Sequence, residues 1–122
     1  MIFNDGYQLL LVYPNKHLQN QLQDTFLNNT QLGVNVYYYN KPNYAKQDAE
    51  WLINIFKMCD TAIVDVDNTA PWARDLLSYM IAKPKTYWLT NSQDSVYNSL
   101  SNNKVYNLDF LSTIGDNKVE TR

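Results

Sequence analysis

Several residue types that build common catalytic and cofactor sites are scarce in this 122-residue chain. It has 3 glycines and contains neither a G-x-G-x-x-G sequence nor a Walker loop, so a phosphate-binding or flavin-binding glycine loop is disfavoured. The single cysteine, Cys59, excludes an internal disulfide and a cysteine-rich metal site. His17 is the only histidine, and Ser78 lies in no G-x-S-x-G sequence. We therefore expect no metal, no cofactor and no serine-hydrolase site.

Basic charge and long apolar runs are also lacking. The net charge is -2 and the sequence pI is about 5.1, with Lys and Arg scattered along the chain, so nucleic-acid binding is not expected. The longest apolar runs are too short for a membrane span, and the N-terminus does not resemble a signal peptide. We predict a cytoplasmic protein without membrane contact. The many Asn and Tyr residues are typical of AT-rich genomes, such as those of phages or parasites. A phage-encoded protein would lie in the host cytoplasm.

What the chain does contain is a regular alternation of apolar strands and amphipathic helices. Continuous apolar or β-branched runs predict five strands: Gln8–Tyr13, Val34–Tyr39, Thr61–Val66, Thr86–Thr90 and Lys104–Leu108. Helical patterns lie between them, which implies right-handed crossovers and a parallel sheet. We predict a single-domain, flavodoxin-like three-layer α/β sandwich over residues 1–114, with strand order 2-1-3-4-5, and a polar tail over 115–122.

The carboxyl ends of these strands are where such a fold binds ligands. The residues predicted there to bind a ligand follow the first, third and fourth strands: Tyr13, Asn15, Asp65, Asp67, Asn68 and Asn91. Asp65 and Asp67 are the sharpest feature, because a buried strand that ends in two carboxylates needs a partner for their charge. They could hydrogen-bond a sugar hydroxyl or a base, hold Mg²⁺, or accept a phosphoryl group. Alternatively, Asp67 caps the loop that follows and Asp65 pairs with a neighbouring amide or lysine.

A third carboxylate, Asp75, falls in the first turns of the helix after the third strand. The helix N-terminus could stabilise its charge there, and the side chain could act as a nucleophile or an acid–base group. A solvated helix residue is the alternative interpretation.

The segment 59–90 resembles the nucleoside 2-deoxyribosyltransferase-like superfamily. The run CDTAIVDVDN is similar to that family's acidic strand and loop, Asp75-Leu76-Leu77 stands in the place of Glu-Leu-Gly, and Ala82-Lys83-Pro84 in the place of Gly-Lys-Pro. The resemblance implies that Asp75 is the catalytic nucleophile, which takes the sugar at its anomeric carbon. It also implies that Asp65 or Asp67 holds the base or ribose. Because Asp75 replaces a glutamate and Leu77 a glycine, a binding-only descendant is the alternative.

A second resemblance is to response-regulator receiver domains, in which Asp65 would stand like the phosphoacceptor and Thr90 like the hydroxyl residue of strand four. Tyr13-Pro14-Asn15 replaces the acidic pair of that family, which argues against a working phosphorelay.

The leading prediction is a nucleoside- or nucleotide-binding protein that cleaves or transfers at an N-glycosidic bond. The alternative is a non-catalytic protein-interaction module, pseudo-receiver-like or a phage protein that engages a host factor. The tyrosine-rich second strand would then form the partner or homodimer surface.

Overall fold

The computed structural model of the chain describes residues 7–22, 34–92, 96–100 and 104. These residues form an α/β fold with a parallel sheet, which confirms the predicted class. The strands are β1 (Tyr7–Val12), β2 (Val34–Tyr39), β3 (Thr61–Asp65) and β4 (Thr86–Leu89), and the helices are α1 (Lys16–Leu22), α2 (Lys46–Met58) and α3 (Arg74–Ile81). Short 3-10 helices span Pro71–Ala73 and Val96–Ser99. The strands lie in the order β2-β1-β3-β4, and every neighbouring pair is parallel.

Some predicted elements lie outside the described residues. Of the predicted fifth strand, Lys104–Leu108, only Lys104 is described, and it forms an isolated parallel bridge to Trp88. The tail over 115–122 lies wholly outside, so the five-stranded order and the domain limits stay predictions. Among the described residues, none of the helices has the length and apolar composition that crossing a bilayer requires.

The central strands β1 and β3 are buried on both faces, which explains their continuous apolar sequences. Strand alternation sends Leu10 and Val12 of β1 to one face, where they share a core cluster with Leu52 and Phe56 of α2 and with Leu77 of α3. The residues that alternate with them, which point to the opposite face, are also fully buried: Leu9, Leu11 and Ile63. Burial on both faces is the pattern expected of the inner strands of a parallel sheet.

The end of α2 is held by a residue that is distant in sequence. The Lys85 ammonium, just before β4, donates hydrogen bonds to the main-chain oxygens of Phe56 and Cys59, the latter at 3.0 Å. It also lies 4.7 Å from the centre of the Phe56 ring. A cation at the C-terminal end of a helix compensates the partial negative charge of the last carbonyl groups. Lys85 therefore fixes the direction in which the chain leaves α2 toward β3.

Candidate functional site

The loops that follow β1 and β3 meet at the carboxyl edge of the sheet, and the carboxylate of Asp65 joins them. Asp65 is the last residue of β3 and only 5% exposed. Its Oδ2 accepts hydrogen bonds from the side-chain amide of Asn15 at 2.8 Å and from the Asn15 main-chain N–H at 3.3 Å. Its Oδ1 accepts the main-chain N–H of Asn68 at 3.3 Å. Amide donors from both loops thus satisfy the buried carboxylate. This agrees with the alternative interpretation in which Asp65 pairs with a neighbouring amide.

Two asparagines extend this connection. Asn15 stands immediately before α1, and its Oδ1 accepts the main-chain N–H of Leu18 at 2.8 Å, which is the geometry of a helix N-cap. The Asn68 side chain donates to the main-chain oxygen of Tyr13 at 2.8 Å. Each asparagine therefore links the loop after β1 to the end of β3 or the loop that follows it. We call Tyr13, Asn15, Asp65 and Asn68 the edge network.

The environment of Asp65 changes its acidity. Burial raises the pKa of the Asp65 carboxyl above its usual range, and the nearby charge of Asp67 adds to the rise. The hydrogen bonds from Asn68 and Asn15 act in the opposite direction, because they stabilise the ionised form. A raised pKa favours the protonated form of Asp65 in the folded protein more than in the unfolded chain.

Tyr13 is part of the scaffold of this edge more than of its surface. Its backbone has a φ of 53°, in the left-handed region that a non-glycine residue seldom occupies, and this turns the chain sharply out of β1. The ring is buried, and its hydroxyl donates to the Lys41 main-chain oxygen at 2.5 Å. The Trp72 indole N–H donates to the same oxygen at 3.2 Å. Tyr13 and Trp72 together hold the loop after β2 against the loops after β1 and β3.

Asp67 makes a separate connection, to the end of β4. Its Oδ1 accepts the Thr90 hydroxyl at 2.6 Å, and its Oδ2 accepts the Asn91 main-chain N–H at 2.7 Å. The carboxylate is exposed to solvent, so oxygen lone pairs remain for a further donor. Asp67 therefore spans the loops after β3 and β4 and still faces outward.

Four of the predicted residues are exposed at this edge, and three of them keep polar groups for a ligand, since the Asn15 side chain already bonds to Asp65 and Leu18. Asp67, Asn68 and Asn91 are all exposed. The Asn68 side-chain oxygen and the whole Asn91 side-chain amide make no hydrogen bond to any residue that the structure describes. The edge thus offers a carboxylate acceptor, an amide acceptor and a complete amide group, a set suited to hydroxyl and amide groups of a ligand.

Asp75 is not part of this arrangement. It lies in the first turn of α3 and is exposed, and no hydrogen bond or ion pair within the described segments joins it to Asp65 or Asp67. Across those same segments, no group of three or more His, Cys, Asp or Glu residues could hold a metal ion.

The prediction of site residues missed three participants. Thr90 follows a strand at the same edge as Asn91 and is named by the receiver-domain resemblance, but it is not among the predicted ligand-binding residues. Nothing in the sequence pointed to the Lys41 main-chain oxygen or the Trp72 indole, since their contacts join residues 31 and 28 positions apart through a loop conformation.

Comparison with known proteins leaves the site geometry as the basis for inferring function. No family model, curated protein or solved structure matches this chain.

Proposed function

We propose that the protein binds a nucleoside or nucleotide at the carboxyl edge of its sheet, in contact with Asp67, Asn68 and Asn91. One observation carries the proposal: hydrogen bonds hold the loops after β1, β3 and β4 together while polar groups of these three residues face solvent. The proposal includes a cytoplasmic, flavodoxin-like protein with a fifth strand in the order 2-1-3-4-5. The parallel bridge between Lys104 and Trp88 supports that strand.

The exposed groups match the hydrogen-bonding groups of a nucleoside. Ribose hydroxyls are donors, and the Asp67 carboxylate is an acceptor whose position is fixed by Thr90 and the Asn91 backbone. The Asn91 amide has a donor and an acceptor side by side, the pair that lets an asparagine bind a base edge with two hydrogen bonds. Asp65 contributes indirectly, because its buried carboxylate positions Asn15 and Asn68.

Cleavage or transfer at an N-glycosidic bond is a further step of the proposal and depends on Asp75. The family resemblance of 59–90 supports that role, since Asp75 stands where the family has its nucleophile. A nucleophile also has to be oriented toward the reacting carbon, and Asp75 is an exposed residue outside the edge network. Binding is therefore the better supported half of the proposal. If Asp75→Asn released free base from nucleosides at the wild-type rate, the catalytic assignment would be wrong.

A thermal-shift screen against nucleosides and deoxynucleotides tests the binding proposal. A ligand at a hundred times its dissociation constant that binds only the folded state adds about 2.7 kcal/mol of stability, which is readily visible as a higher Tm. Asn91→Ala is the sharpest variant, because it removes the side-chain amide and keeps the main-chain N–H that donates to Asp67. Asn54→Ala is the matched control, since Asn54 is an exposed asparagine on α2.

The proposal predicts a shift with one class of nucleoside, a much smaller shift in Asn91→Ala, and an undiminished shift in Asn54→Ala. Equal shifts in all three proteins would place the ligand elsewhere. If no compound changed the Tm of well-folded wild-type protein, the proposed function would be refuted.

A second candidate function is a non-catalytic interaction module, favoured by the exposure of Tyr38. Tyr38 is 50% exposed on β2, one of the two outer strands of the described four-stranded sheet. Aromatic side chains are enriched at protein interfaces. This candidate predicts that a partner protein, captured by the wild type, is released by Tyr38→Ser and retained by Tyr79→Ser, which changes an exposed tyrosine on α3. Retention by both variants would count against a β2 surface.

A further inference from the structure

One flank of α2 faces solvent and carries an apolar centre with opposite charges beside it. Ala49 and Ile53 are partly exposed there, and Tyr44, just before the helix, is 63% exposed. These three residues line an open groove of about 480 Å³ together with Lys46, Glu50 and Asn54. We call these six residues the α2 flank. Residues spaced by three and four positions lie on one side of a helix, so the flank is one continuous surface.

The charges of the flank are available to a partner. Lys46 and Glu50 are exposed, and neither forms an ion pair with any residue that the structure describes. Lys46 and Glu50 are about one helical turn from each other on the same side of α2, and the small side chain of Ala49 lies beside them. A helix that packs here can approach closely at Ala49 and meets one positive and one negative group.

The sequence of the flank is complementary to itself when two copies run antiparallel. About a two-fold axis that crosses the helix at position 48, residues equally distant on either side of the axis face each other. Lys46 then lies opposite Glu50 of the second copy, and Tyr44, just before the helix, lies opposite the turn that carries Ile53. Because the symmetry repeats every contact, each dimer has two ion pairs and two apolar contacts, with the Ala49 side chains beside the axis.

We propose that the α2 flank is the interface of a homodimer in which two α2 helices pack antiparallel. The inference is independent of the proposed nucleoside binding, since it uses none of the residues assigned to the carboxyl edge. One helix flank buries less surface than a standard-size interface, so the association is weak and concentration-dependent.

Sedimentation velocity of wild type and charge variants tests the dimer, at protein concentrations from about 1 μM to about 1 mM. Lys46→Glu and Glu50→Lys each replace two attractive pairs by two repulsive ones, so each is expected to weaken the dimer by about ten-fold or more. The double variant Lys46→Glu/Glu50→Lys restores both attractive pairs and is expected to recover the dimer. Lys16→Glu is the control, because it makes the same charge change at an exposed position of α1, away from the α2 flank.

Recovery in the double variant with an unaffected control supports the interface. A monomer at every concentration overturns the proposal, even if another protein's helix binds the flank. A dimer that neither single reversal weakens, or that Lys16→Glu weakens equally, overturns it as well. Because far-UV circular dichroism of the monomeric variants reports their folding, loss of the dimer is separated from loss of structure.

Discussion

Replacing Asn15 should destabilise the protein in two separable ways, because its side chain has two roles. Its oxygen caps α1 by accepting the Leu18 N–H, and its amide donates to the buried carboxylate of Asp65, both at 2.8 Å. Asn15→Ala removes both contacts. Asn15→Ser keeps a capping oxygen and removes the amide. Asn15→Asp keeps the cap and places a second carboxylate against Asp65.

The contacts give the expected magnitudes. Loss of an N-cap costs about 1 kcal/mol. Loss of a hydrogen bond to a charged group costs about 1.5–3 kcal/mol, and the lower end applies because Asn15 is exposed enough for water to replace its amide. Asn15→Ala is therefore expected to lose about 2–3 kcal/mol, and Asn15→Ser about 1–2 kcal/mol. Asn15→Asp should be less stable than Asn15→Ser at pH 7, and the gap should narrow in acid as the two carboxylates come to share a proton.

Urea unfolding followed by tryptophan fluorescence measures these differences as changes in the free energy of unfolding. The order wild type, Asn15→Ser, Asn15→Ala from most to least stable supports the two roles. A loss below about 0.5 kcal/mol in Asn15→Ala, the size of an ordinary surface substitution, would refute the edge network as a stabilising connection.

Three further substitutions test other parts of the fold by the same unfolding measurement. Lys85→Met should lose about 1–2 kcal/mol, because the carbonyl groups at the end of α2 lose their cation, and an unchanged value would contradict that role. Tyr39→Phe should be neutral or stabilising, since the buried Tyr39 hydroxyl has no hydrogen-bond partner among the described residues, and a large loss would reveal one. Burial raises the pKa of Asp65, so the stability this carboxyl contributes is fully present below its unfolded pKa of about 3.9 and is lost as pH rises through the higher folded pKa. Wild type should therefore lose stability relative to Asp65→Asn between pH 4 and pH 7, and a pH-independent difference would contradict the raised pKa.

The strands and helices of the described fold could be predicted because their signals are local. The apolar run of β1 and the alternation of strands with helices required only periodicity and composition, and the observed elements fall where those patterns place them. The helical pattern between the fourth and fifth predicted strands corresponds, in its described part, to a four-residue 3-10 helix, Val96–Ser99. Short polar segments lack the repeated apolar spacing that defines an amphipathic helix, so their conformation depends on tertiary contacts.

The site could be predicted only as a set of positions. Topology alone brings the ends of parallel strands to one edge, so counting strand ends predicts that Asn15, Asp65 and Asn91 lie there. Which donor meets which acceptor depends on loop conformations with no sequence period. The positive φ of Tyr13 is an example, since no glycine marks that turn. Asp67 is another example, because its two carboxylate oxygens accept hydrogen bonds from Thr90 and Asn91, just after β4.

Nuclear magnetic resonance mapping of backbone amide shifts, during titration of wild type with the nucleoside selected by thermal shift, tests binding at the carboxyl edge most directly. The proposed function predicts saturable shifts confined to the amides of Tyr13, Asn15, 67–69 and 90–92, with weaker affinity in Asn91→Ala. Shifts concentrated on α2 or at the opposite ends of the strands, or no shifts at saturating nucleoside, would contradict it.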